Sequence, residues 1–522
     1  MAVAPHALAA QSAAGVLREG GNAIEAMVAA AATVAVVYPH MNGIGGDVFW
    51  LVHEPGRPPH AIDACGAAAQ AATREFYTAQ GLQAIPHRGP LAANTVAGAV
   101  SGWGLALEIS RREWGGRLPF ARLLEDAIAY ADGGFAVTHS QANTTAAKYA
   151  ELADQPGFAG RFLPRGQVPP AGARFIQKPM AETLRHIARR GPDDFYRGEL
   201  AQAIAAELAA AGSPLTRADL AAHRAAVRAP LALRHRLGML YNVPPPTQGV
   251  TSLLILGMLD RLGLERVAPD SADYVHLIVE ATKRAFMVRD REVTDPQYMR
   301  VDAQALLEDA AIARLARDID RHKAAPWCAG GPPADTVWLG VIDAHGRAAS
   351  FIQSLYHEFG SGIVLASTGI NWQNRGCSFS LDPNARQALV PGRKPFHTLN
   401  PALALFDDGR VMVYGTMGGD GQPQTQAAVY TRYAVYRQSP QQAIAAPRWL
   451  LGRTWGQTSD TLKLEARFPE SLVTDLRARG HAVEVVAAFD EIVGHAGAVV
   501  RHPSGLFEGG FDPRSDGGVA EP

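Results

Sequence analysis

A Gly/Pro-rich segment, Cys328 to Pro333, gives way at Asp335-Thr336 to a strand-like run, Thr336-Val337-Trp338-Leu339-Gly340-Val341-Ile342. A turn at Asp343-Ala344-His345-Gly346 and a second run from Ala348 complete a hairpin whose first strand begins at Thr336. The segment before it has the character of an exposed linker, where chains tolerate cutting. A cut between Asp335 and Thr336 gives one residue both a hydroxyl nucleophile and a free amine. The adjacent amine is one of the bases that activate a threonine hydroxyl. With an ordinary α-amino pKa of about 7.7–8.0, a useful fraction of that base is unprotonated near neutral pH. On its own, a threonine opening a strand is usually just a β-branched residue in a sheet.

The 522 residues exceed one ordinary core, which predicts a large multilayer domain or two intimate ones. Basic and acidic residues nearly balance at 49 and 50, and no long basic run points to nucleic acid or to an anionic membrane surface. Cys65, Cys328 and Cys377 form an odd, sparse set without CxxC spacing, which argues against a disulfide framework and a structural zinc site. His357-Glu358 lacks the second histidine of an HExxH pattern, so a metal hydrolase is disfavoured and no metal or cofactor is expected. The N-terminus lacks a signal-peptide pattern, and the apolar run Ala26–Tyr38 is too short to span a membrane. Cytoplasmic location is the default expectation, with neither a membrane nor a nucleic acid as partner.

Along the chain, residues 7 to 38 read as two helices separated by Glu19-Gly20-Gly21-Asn22, with Asn22 capping the second. Asn42-Gly43-Ile44-Gly45-Gly46-Asp47 feeds a strand at Val48–Val52, and its glycines suit tight backbone packing better than a dinucleotide fingerprint. Helical spacing covers Leu118–Ala131, Met180–Ala211, Ser252–Leu262, Tyr274–Met287 and Ala303–His322. After Thr336, strands are expected at Val337–Ile342, Ala348–Leu355, Ala402–Phe406, Val411–Tyr414 and Ala498–Arg501. Helices near Gln424–Arg437 and Pro469–Arg479 lie between them. A helix-rich first two-thirds and a strand-rich last third predict stacked sheets with helices outside.

Several short motifs recur in a telling order: Glu19-Gly20-Gly21-Asn22-Ala23, Gly45-Gly46-Asp47-Val48-Phe49, Thr95-Val96-Ala97-Gly98 and Thr336 to Asp343. They continue with Phe359-Gly360-Ser361-Gly362-Ile363, Gly418-Gly419, Ala446-Pro447-Arg448 and Asp512-Pro513-Arg514-Ser515. In this order and spacing the chain resembles the γ-glutamyltransferase family of N-terminal-nucleophile hydrolases nearly end to end. The resemblance implies an α+β fold, a four-layer αββα sandwich, without cofactor or metal. It also implies self-cleavage before Thr336 into a large subunit, 1–335, and a small subunit, 336–522. The two would stay together as a heterodimer in one intertwined domain, with further dimerisation left open. By the same resemblance Thr336 is the nucleophile, Gly418 and Gly419 supply backbone N–H donors to the oxyanion, and the Ser354 hydroxyl supports the nucleophile.

The departures from the family pattern concern substrate. The position of the arginine that holds a γ-glutamyl carboxylate is Cys65, which cannot make a bidentate carboxylate pair. The acidic residue for the α-amino group maps near Ser378, and one serine of the carboxylate-binding pair is His397, beside Thr398. The segment Asp382–Lys394 is short, so the family's lid loop is expected to be truncated. Arg375, close to the amino-group position, and Arg88 are the candidate cations for an anionic substrate. Together with His397 and Thr398 they form the expected binding set. The pattern is similar to the oxamate amidohydrolase-like branch and more loosely to the cephalosporin acylases. The expected activity is acyl-enzyme hydrolysis of a small anionic amide such as oxamate. Glutathione hydrolysis with γ-glutamyl transfer is the alternative, and an unprocessed, inactive binding protein is the other.

Overall fold

The computed structural model describes residues 1–327, 335–452 and 459–522. Two antiparallel sheets stack face to face. The first contains β1 (Ala2–Ala4), β2 (Asp47–His53), β3 (His60–Asp63) and β4 (Ala226–Arg228). The second begins with β5 (Leu231–His235) and β6 (Gly238–Asn242). The first sheet then takes β7 (Asp335–Ile342) and β8 (Ala348–Tyr356), and the second takes β9 (Ala402–Phe406) and β10 (Val411–Thr416). β11 (Ala496–Arg501) and β12 (Phe507–Phe511) extend the second, and β13 (Gly518–Ala520) closes the edge of the first. The strand orders are β13-β1-β7-β8-β2-β3-β4 and β12-β11-β10-β9-β6-β5.

Strand alternation sorts these residues into layers. In β7, Val337, Leu339 and Val341 join a core shared with the helices Ala7–Arg18 and Ala23–Val37, while Trp338 and Ile342 face the second sheet. In the second sheet, Ala402, Ala404, Met412 and Tyr414 face the helices Gly249–Arg261, Ala272–Glu292 and Gly421–Ala434. Leu403 and Val413 face inward. The result is the expected αββα order.

The helix Ala23–Val37 is buried along its whole length, which its alanines and valines permit. Its start is fixed by a capping box: Asn22 Oδ1 accepts the Ile24 and Glu25 N–H groups, and Glu25 Oε2 accepts the Asn22 N–H at 2.9 Å. Two sequence expectations need correction. Met180–Ala211 is not one helix. Gly191, at φ 87°, and Pro192 divide it into Lys178–Arg190 and Glu199–Ala211, with one turn at Asp194–Arg197 between. Within Ala303–His322 only Asp309–Arg317 is α-helical. The strand-rich last third was also only part of the sheets, since six strands come from the first 242 residues. The Cys328–Pro333 linker lies outside the described residues. None of the described helices is long and apolar enough to cross a membrane.

Between the sheets, Trp338 fills a notch made by glycines. A Cβ on Gly415 would lie 2.2 Å from its Cδ1, and one on Gly497 2.5 Å from its Cζ3. Those two glycines are direct partners on β10 and β11, so the indole lies across a paired glycine step. Its Nε1 donates to Ser350 Oγ at 3.0 Å. Gly415→Ala is therefore expected to destabilise the fold by about 1–3 kcal/mol through overpacking. Gly133→Ala, at the end of the helix Phe120–Gly133 and facing open space, should be near neutral. Equilibrium denaturation of the two variants checks this.

Candidate active site

Thr336 is the second residue of β7 and is fully buried. Its side chain shares the inward face with Trp338, two residues on. The register between the sheets then fixes what it meets. Gly340 faces Val413 and Trp338 faces Gly415, so the strands run in opposite directions and the start of β7 lies toward the end of β10. There the chain leaves β10 and turns through Gly418 (φ 111°) and Gly419 (φ 53°) into the helix Gly421–Ala434. Two successive positive φ values are natural to glycine alone. Among the described residues, neither glycine N–H donates to a backbone acceptor.

A polar truss holds this turn. Gln248 Nε2 donates to the carbonyls of both Thr398 and Gly419, each at 2.9 Å. Gln248 Oε1 accepts from Arg289 Nη1 at 2.9 Å, and the same Nη1 pairs with the Asp420 carboxylate at 2.6 Å. Nothing in the sequence singled out Gln248 or Arg289, because each acts across more than 100 residues of chain.

On the neighbouring strand the pairing of β8 with β7 is interrupted between Gln353 and Tyr356, opposite Asp335-Thr336. The bulge re-aims side chains at that end of the sheet. Thr336 Oγ1 donates to the Gln353 carbonyl at 3.3 Å. Ser354 Oγ accepts the Tyr356 N–H at 2.8 Å and Arg375 Nη2 at 3.3 Å. Tyr356, the residue that pairs with Asp335, has φ 85°, a strained value for a bulky side chain. Its ring supports the Arg375 guanidinium, 3.9 Å from the centroid.

Arg375 is fully buried. Its Nε and Nη1 make no hydrogen bond, and no carboxylate among the described residues lies within ion-pair distance. Around it are more buried polar atoms without hydrogen-bond partners: Asp47 Oδ2, both ring nitrogens of His397, Thr398 Oγ1 and Ser378 Oγ. Asp47 sits opposite Ser354 on β2, and its Oδ1 accepts the N–H groups of Gly66 and Gly98. Gly46 makes this approach feasible, since a Cβ there would lie 2.0 Å from the Ser354 carbonyl. Burial pushes the Asp47 carboxyl up to about 7, against the opposing pull of the Gly66 N–H and Arg375. His397 Nε2 lies 3.5 Å from Asp47 Oδ2, and burial, with Arg375 and Lys394 nearby, holds this imidazole well below its ordinary range.

Thr336, Ser354, Arg375, His397, Thr398 and the Gly418-Gly419 turn thus gather at one end of the space between the sheets. Arg88 does not join them. Its guanidinium is committed to Glu151 and to the carbonyls of Glu358 and Gly360, so it clamps a turn. Cys65 is buried, and its Sγ donates to Asp63 Oδ1 at 3.2 Å. Lys394 pairs with Asp63 at 2.6 Å and places a second cation near Cys65.

The gamma-glutamyltranspeptidase family profile matches residues 9–521. The chain belongs to the gamma-glutamyltranspeptidase family. It is 59% identical over 520 residues to an oxamate amidohydrolase proenzyme of Klebsiella pneumoniae, covering 100% of this chain and 98% of the relative. A glutathione hydrolase-like YwrD proenzyme of Bacillus subtilis is 42% identical over 518 residues, 99% of this chain and 97% of that one. Among solved structures, a cephalosporin acylase from Bacillus halodurans superposes with a TM-score of 0.90 at 34% identity, covering 100% of this chain and 95% of that one. This family member is an amide C–N hydrolase with the α+β sandwich of the N-terminal-nucleophile type.

The raised Asp47 carboxyl carries a sign that can be measured. The folded protein holds this proton up to about pH 7, whereas the unfolded chain loses it near pH 4. Between those values the unfolded state binds fewer protons, so stability falls as pH rises. Asp47→Asn keeps an oxygen for Gly66 and Gly98 and removes the titration. Its stability relative to wild type should therefore increase steadily from about pH 4 to pH 7, in denaturation midpoints taken across that window.

Proposed function

We propose that this family member is a self-processing amidohydrolase with Thr336 as nucleophile, acting on a small anionic amide of the oxamate type. Processing starts when Thr336 Oγ1 attacks the Asp335 carbonyl, moving the acyl group from nitrogen to oxygen. Hydrolysis of that ester frees the Thr336 amine, which then serves as the base for its own hydroxyl. In turnover the hydroxyl attacks the substrate amide carbonyl. The tetrahedral oxyanion is held by the N–H groups of Gly418 and Gly419, and ammonia leaves with a proton. Water then cleaves the acyl ester, so that oxamate and water give oxalate and ammonia.

The observation that carries the substrate class is Arg375. A buried guanidinium with two nitrogens lacking hydrogen-bond partners is costly, and a ligand carboxylate satisfies it with charge-assisted bonds. Ser354, bonded to Arg375 and within the β8 bulge, links the carboxylate-binding group to the nucleophile strand. The neutral imidazole of His397 and the Thr398 hydroxyl complete a pocket suited to a short polar acyl group. Glutathione fits this arrangement less well, because its α-ammonium would meet a cation. The 59% identity to an oxamate amidohydrolase proenzyme supports the same choice.

Processing is tested by denaturing gel and N-terminal sequencing. The purified protein is expected as two fragments, the smaller beginning Thr-Val-Trp-Leu, and Thr336→Ala as one inactive chain. A Thr336→Ala protein still cut at this bond overturns the nucleophile assignment.

Specificity is tested by ammonia or amine release from oxamate and glutathione side by side. Arg375→Ala should lower kcat/KM for oxamate by about 10–100-fold, the scale of losing a hydrogen bond to a charged group, and change glutathione turnover much less. Faster wild-type turnover of glutathione, with Arg375→Ala neutral toward oxamate, overturns the pocket reading and leaves the nucleophile standing.

A further inference from the structure

Three side chains distant in sequence meet beside the Arg375 turn. His87 comes from the loop before Pro90, His357 from the residue after β8, and Cys377 from the turn Arg375–Ser378. Their ligand atoms all lie within 4.8 Å of one another. The two imidazoles stack with centroids 5.2 Å apart. The backbone that carries them is braced by other groups: Asn374 Nδ2 donates to the His87 carbonyl at 2.8 Å, and Asn374 Oδ1 accepts the His357 N–H at 3.1 Å. Arg88, next to His87, ties that loop to the carbonyls of Glu358 and Gly360.

We propose that His87, His357 and Cys377 form a binding site for a zinc-class divalent ion. Two imidazole nitrogens and one thiolate are a borderline-soft donor set, which selects zinc, cobalt or copper over magnesium or calcium. His87 is exposed and the other two are half-buried, so water reaches the fourth position of a tetrahedral centre. Bonds of about 2.0–2.3 Å set tetrahedral ligand atoms roughly 3.3–3.8 Å apart, so about an ångström of side-chain rotation closes the cluster.

A second cluster, His276, Glu280 and His481, carries no such proposal, because its donor atoms are bonded to one another and to neighbouring groups. His276 Nδ1 bonds His481 Nε2 and His276 Nε2 bonds the Asp320 carbonyl, each at 2.8 Å. Glu280 is taken by Lys283 and the Ala325 N–H. An ion on the first cluster ties the turn that carries Arg375 to the end of β8.

The test uses full-length purified protein stripped with chelator, and Co²⁺ and Zn²⁺ as probes. One equivalent of Co²⁺ should bind with a thiolate-to-cobalt charge-transfer band. Cys377→Ser should abolish the band and weaken Zn²⁺ binding by at least the roughly 10–100-fold typical of losing an outer-shell partner. Absence of the band, or its persistence in Cys377→Ser, overturns the proposal. Peptide mass mapping of wild type gives an answer that does not depend on variant folding. Zn²⁺ should protect Cys377 from alkylation, and unchanged labelling overturns the site.

Discussion

The contact on which this structure turns is the Trp338 indole lying across Gly415 and Gly497. Stacked sheets stand about 10 Å apart, and a tryptophan on one normally needs small residues on the other. Here the glycines are cross-strand partners, so the notch is continuous and the indole has one seat. That seat fixes the relative slide of the two sheets, and with it the separation of β7's first residues from the end of β10. Thr336, two residues from that seat, and the Gly418-Gly419 turn beyond β10 take their positions from packing deeper in the core. The two groups thereby sit on rigid elements instead of independent loops.

Around this frame the protein keeps polar atoms that its fold does not satisfy. A buried polar group without a hydrogen bond costs about 1–3 kcal/mol, and a charged one costs more. Arg375, Asp47, His397 and Thr398 together form a concentration of such cost at one end of the sandwich. Elsewhere comparable buried charges are matched: Arg514 bonds both Glu465 and Asp512, and Arg289 bonds Asp420. The contrast within one molecule separates charge matched inside the fold from charge that the fold leaves partly unmatched. The strained Tyr356 belongs to the second group, since its ring carries the Arg375 guanidinium.

What the sequence disclosed follows the range of the interactions involved. Asn22 capping a helix, the hairpin after Thr336 and the strands Ala402–Phe406 and Val411–Thr416 are decided within a few residues, and they were legible. The break at Gly191-Pro192 was signalled by both residues but masked by helical apolar spacing on either side. β1, β13 and the short strands β3 to β6 carried too little periodicity to stand out, whereas β2 was expected at Val48–Val52. Ser354 and Arg375, named from motif order and chain position, are hydrogen-bonded to each other beside the strand that contains Thr336. Arg88 was named as a cation for substrate, but its donors are consumed by Glu151 and local carbonyls. Asp47, Gln248 and the β8 bulge depend on cross-chain geometry that no local pattern encodes.

Each of these groups of residues also draws on both sides of the Asp335-Thr336 junction. Asp47 lies before it and Ser354 and Arg375 after; Gln248 before, Thr398 and Gly419 after; His87 before, His357 and Cys377 after. The sheets are divided in the same way, with β7 between β1 and β8 and with β9 between β6 and β10. A cut at this bond would remove one covalent link, and the strand pairings of β7 from Val337 onward do not depend on it. What it changes is local: a peptide nitrogen, unable to act as a base, becomes an amine beside a threonine hydroxyl. The interleaving of the two segments would let so small a chemical change take place without rebuilding the fold around it.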